Sequence, residues 1–169
     1  QKEAVKLVQE RTHLIDGLLR ELRMEKDLEK KTWVCYLLGE YRATEAVRDL
    51  SDIITFQSNV DPTKEAGKRL PLWGKHPAYE ALVKIGVPSV PVILTKLETE
   101  LDDDARRLAV SVIREVYGVE IAKVALEKAV ARQTDASKAK NLAEAMKLVY
   151  IIYFFKKLQA CTSVLRGHP

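Results

Sequence analysis

At 169 residues, 47% hydrophobic and 31% charged, the chain has the size of one folded domain and is too apolar for a disordered tail. Its 7 Gly and 6 Pro exclude a fibrous or low-complexity protein, and two cysteines, Cys35 and Cys161, are too few for a disulfide scaffold. The net charge of +4 is unevenly spread, with −1 over residues 1–60, 0 over 61–118 and +5 over 119–169.

Taken in chain order, nearly every segment reads at helical period. Ala4, Leu7, Val8, Leu14, Ile15, Leu18, Leu19 and Leu22 form one stripe along a helix over 2–23, the spacing of a face turned to a core. A second helix over 29–39 is expected to bury Trp33, Val34, Leu37 and Leu38. Thr44 suits the N-cap of a third, with Val47, Leu50, Ile53 and Ile54 inward. From Ser58 to Pro77, three prolines and two glycines break the pattern, so an insertion is expected at about 58–76. Loops of that length usually carry a function or a short helix of their own.

Pro77 suits the first turn of the next helix, where a missing N–H costs nothing, and Gly86 suits its C-cap, with Ala78, Ala81, Leu82 and Ile85 inward. Pro88 and Pro91 bracket the start of a helix burying Val90, Ile93, Leu94 and Leu97. Asp102, Asp103 and Asp104 place negative charge on the first turn of another, favourable against the helix dipole. That helix buries Leu108, Ala109, Val112, Ile113 and Val116 and closes at Gly118. A further helix runs to about Arg132, and a last one over 137–160. The expected fold class is all-α, with about eight helices.

Short helices joined by tight turns invite a search for internal repeats. Leu37-Leu38-Gly39 followed by Ala46-Val47, Leu50 and Ile54 matches Lys84-Ile85-Gly86 followed by Ser89-Val90, Ile93 and Leu97. A weaker third copy runs through Val116-Tyr117-Gly118, Ile121, Val124 and Ala125. The pattern resembles HEAT repeats, in particular the short phycobilisome-lyase-like subclass, whose first helix ends in Leu-Gly and whose second opens with Ala-Val-Pro. Leu38-Gly39 with Ala46-Val47, and Ile85-Gly86 with Val90-Pro91, carry the resemblance over about residues 29–132, although Arg48 replaces the proline of the first copy and the third lacks Val-Pro. It implies a right-handed α–α superhelix, a HEAT-like solenoid forming a single domain over 1–169. Three helix pairs over 29–133 would stack on one core between cap helices at 2–23 and 137–160. It implies a scaffold and specifies no reaction.

In such a solenoid the second helices line a concave face. Their outward residues include Arg48, Asp52, Lys96, Lys123 and Glu127, a mixed set that suits either a binding groove or an ordinary solvated face. Arg69-Leu70-Pro71-Leu72-Trp73-Gly74-Lys75-His76 is the most distinctive local sequence. Arg69, Trp73, Lys75 and His76 there suit a peptide or base anchor, while Leu70, Leu72 and Trp73 equally suit a cover folded over the core. His13, His76 and His168 share no ligand spacing with the cysteines, and no phosphate loop or nucleophile elbow appears, so no metal, cofactor or catalytic residue is expected.

The longest apolar run, Leu148 to Phe155, is eight residues, against the ~20 a helix needs to span a bilayer. An apolar helix over 148–158 suits intramolecular capping, a homodimer interface, or contact with lipid or another protein. No signal peptide is visible, and the start at Gln1 without a methionine leaves an exported mature chain open. The expected function is a non-catalytic scaffold binding a protein or peptide. The alternative is nucleic-acid binding through the basic last third, or activity like that of the HEAT-like DNA glycosylases. Those enzymes place Trp, Asp and Arg in a basic groove, whereas Trp33 and Trp73 here fall outside the expected groove.

Overall fold

Hydrophobic period and caps together produce the helices. The computed structural model describes residues 2–60 and 75–149, and among them the chain is all-α, with eight α-helices and no strand. These are α1 (Lys2–Met24), α2 (Leu28–Glu40), α3 (Val47–Asp52), α4 (Pro77–Ile85), α5 (Val90–Leu97), α6 (Asp103–Tyr117), α7 (Val119–Arg132) and α8 (136–149). Single 3-10 turns, Thr44–Ala46 and Val87–Ser89, lead into α3 and α5. The chain divides into two compact units, Gln1–Val92 and Ile93–Pro169.

In the first unit, Asp27 caps α2 by accepting the N–H groups of Glu29 and Lys30 at 2.9 and 3.3 Å, which satisfies donors the helix itself leaves open. α2 packs on α1 and most extensively on α4, and α3 packs on α1 and α4. The shared core holds Ile15, Leu19 and Leu22 of α1, Cys35 and Leu38 of α2, Val47 and Leu50 of α3, and Ala81, Leu82 and Ile85 of α4. Burying each large aliphatic side chain of this set contributes about 1.5–3 kcal/mol.

The rotation of α2 differs from the expected one. Thr32, Val34, Cys35, Leu38 and Gly39 face inward, while Trp33 and Leu37 are only half-buried. The cause is Gly39: a Cβ there would meet Ala81 Cα at 3.0 Å, so α2 turns its smallest residue toward α4 and carries Trp33 outward. Thr44 is not an N-cap. It begins a 3-10 turn in which the Ala43 and Thr44 carbonyls take the N–H groups of Ala46 and Val47. The backbone thereby supplies what a threonine hydroxyl would have supplied.

The turns before α3 and α5 share one local design. Ala46 and Ser89 donate their N–H groups to Ala43 and Gly86 three residues back, at 3.0 and 2.9 Å. Ala46-Val47, Leu50 and Ile54 are buried, as are Ser89-Val90, Ile93 and Leu97. Gly86, expected as a C-cap, ends α4 at φ +81°, a conformation glycine adopts without strain. At Gly118 the chain passes straight into α7, and Ala122 and Leu126 are buried there while Ile121 and Val124 are exposed.

In the second unit, Asp102 caps α6 by accepting the Ala105 N–H at 2.8 Å. Asp103 and Asp104 of its first turn pair with Arg106 and Arg107. α6 packs on α7, and Ala109, Val110, Val112 and Ile113 are buried. Asp135 caps α8 by accepting the Ser137 and Lys138 N–H groups. α8 buries Leu142, Ala145 and Val149, and its Asn141 amide donates to the Glu98 carbonyl at 2.9 Å. Beyond Val149, the apolar helix expected over 148–158 lies outside the described residues.

Candidate binding surfaces

The expected groove residues fall in both units. Arg48 and Asp52 are exposed on α3, one turn apart, and the neighbouring Asp49 is engaged by a forked contact from Arg23 at 3.0 and 2.9 Å. The Asp49 carboxylate holds the Arg23 guanidinium above its ordinary pKa. In the second unit, Lys96 is half-buried in the last turn of α5. Lys123 and Glu127 pair across one turn of α7 at 3.6 Å. Exposed pairs of this kind contribute at most about 1 kcal/mol.

Of the insertion, Lys75 is exposed and His76 half-buried at the start of α4, with Nδ1 buried and without a hydrogen-bond partner. Arg69 and Trp73 lie outside the described residues. The flanks of the insertion meet: the Ser58 N–H donates to the Lys75 carbonyl at 3.0 Å.

Two surfaces were not legible as such in the sequence. The first is the outward side of α2. Trp33 and Tyr36 pack edge to face with ring centroids 5.9 Å apart. The Lys84 ammonium sits 4.8 Å from the Tyr36 ring centroid and also pairs with Glu40. Burial and the Glu40 carboxylate push the Tyr36 hydroxyl above its usual pKa. The Tyr36 ring thus faces a cation that is already ion-paired.

The second is the first half of α1. Ile15 is 1% exposed, but Leu7, Val8 and Leu14 of the same stripe are 63%, 65% and 41% exposed. Lengths explain the change. α1 has 23 residues and α2 has 13, so at a rise of ~1.5 Å per residue the longer helix runs on past its neighbour by roughly 15 Å. Arg11 makes an ion pair with Glu45 at 2.9 Å, which holds the Glu45 carboxyl below its ordinary pKa. Every described side chain from Lys6 to Leu14 is exposed. The clue was available in the expected spans, since a helix over 2–23 beside one over 29–39 must overhang it.

Other chemistry-bearing residues have structural settings. Cys35 is a fully buried free thiol, and burial pushes its pKa up to about 12, far from a reactive thiolate. Cys161 lies outside the described residues. Arg114 is buried at the end of α6; its Nη2 donates to Glu115 Oε1 at 3.2 Å, while Nη1 is buried with no partner. Among the described residues no group of His, Cys, Asp and Glu is arranged to hold a metal ion. No single helix among them is long and apolar enough to cross a membrane.

No protein family, curated protein or solved structure matches the chain.

Proposed function

We propose that this chain is a non-catalytic helical-repeat scaffold of the HEAT-like kind that binds a protein or peptide partner. The observation that carries the binding reading is the exposure of Leu7, Val8 and Leu14, on either side of the ion-paired Arg11, on the face of α1 that further along buries Ile15, Leu19 and Leu22. Several exposed apolar residues gathered on one helix face are a common mark of an interaction surface. The repeat reading is supported by the common turn before α3 and α5, where the buried positions 46, 47, 50 and 54 recur at 89, 90, 93 and 97. Scaffolds of this kind bind by presenting fixed helices, with most of the energy concentrated in a few apolar or aromatic anchors.

Site-specific photocrosslinking tests the reading in the cells that make the protein. A crosslinker at position 7 is expected to trap one defined partner, and one at Gln9, on the opposite side of α1, to trap none. The double substitution Leu7→Asp with Val8→Asp is expected to abolish capture while changing stability by no more than about 0.5 kcal/mol, as for other exposed positions. Equal labelling from positions 7 and 9, or none from either, would remove α1 as the binding surface.

A further inference from the structure

We draw no further inference here: the strongest candidate, the bare apolar stripe on the first half of α1, carries nothing beyond the reading above, because nothing in the structure shows what covers it and its flanking charges already pair as Lys6–Glu10 and Arg11–Glu45.

Discussion

Among the described residues, Gly39 and Arg114 occupy two contrasting tight settings. Replacing a glycine inside a helix with alanine normally stabilises by up to about 1 kcal/mol, and by less in the last turn, where Gly39 sits. At Gly39 the new Cβ would lie 3.0 Å from the Cα of Ala81, a backbone atom that no rotamer change can move aside, and overpacking of that kind costs about 1–3 kcal/mol. Gly39→Ala is therefore expected to lower stability by about 1–2 kcal/mol, a fall in Tm of roughly 2–8 °C, read by thermal unfolding. Arg114 presents the opposite case. Its guanidinium is buried with one nitrogen unpartnered, and its carboxylate neighbour Glu115 is partly solvated. Desolvating a charge costs several kcal/mol, which one hydrogen bond repays only in part. Arg114→Met keeps the volume and removes the charge, so it is expected to leave stability unchanged or raise it by about 1 kcal/mol in chemical denaturation. A loss of 2 kcal/mol or more would mean that the cation is compensated and that this account of it is wrong. Residue types foretold some of these settings. Gly86 and Gly118 stand at positive φ at helix ends, where the sequence marked them. Thr44 was misleading because a 3-10 turn uses backbone carbonyls where a cap would use a hydroxyl.

Helices were readable from hydrophobic period and from breaks in it, but what covers each helix was not. Period assigns a face to the core without saying how far along the helix a neighbour extends, and the apolar face of α1 runs, with Arg11 set into it, past the point near Leu14 where its burial stops. The face of α2 was misplaced for a related reason. Trp33 is large and apolar, yet helix rotation follows the closest approach, which Gly39 permits. The insertion poses the same question of cover. Because Ser58 and Lys75 are joined by a hydrogen bond, residues 60–74 can be replaced with two glycines without moving either flank. Shortening the excursion lowers the entropy cost of closing it by about 1 kcal/mol. The shortened protein is expected to keep its helical circular dichroism per residue and a Tm equal to or a few degrees above the parent. A loss of ~3 kcal/mol would instead assign Leu70, Leu72 and Trp73 to the core, the size expected when large apolar side chains are taken from an interior.

At the scale of the whole molecule, charge discriminates best between the two kinds of partner. Excess positive charge over 119–169 is what a nucleic-acid reading rests on. In the folded chain, Lys123, Lys138 and Lys147 are each ion-paired, with Glu127, Glu98 and Glu144, and the Lys147 ammonium draws the Glu144 carboxyl below its usual pKa. A phosphate must compete with those carboxylates for three of the segment's lysines; Glu127 and Glu144 are already counted in its +5, and Glu98, from outside the segment, lowers the charge offered to DNA further. Binding through six to ten phosphate contacts would lose about 10³–10⁵ in affinity between ~50 and ~200 mM salt. Light scattering with a short duplex is therefore expected to give the mass of the chain alone, 19.1 kDa, at both salt concentrations. A mass of twice that value without duplex would indicate self-association, and Leu7→Asp with Val8→Asp would then decide whether α1 is the surface used: a return to the monomer assigns it, and an unchanged dimer turns attention to the apolar run from Leu148. A mass increase with duplex that disappears at the higher salt would count against the protein-binding proposal and put the basic last third in its place.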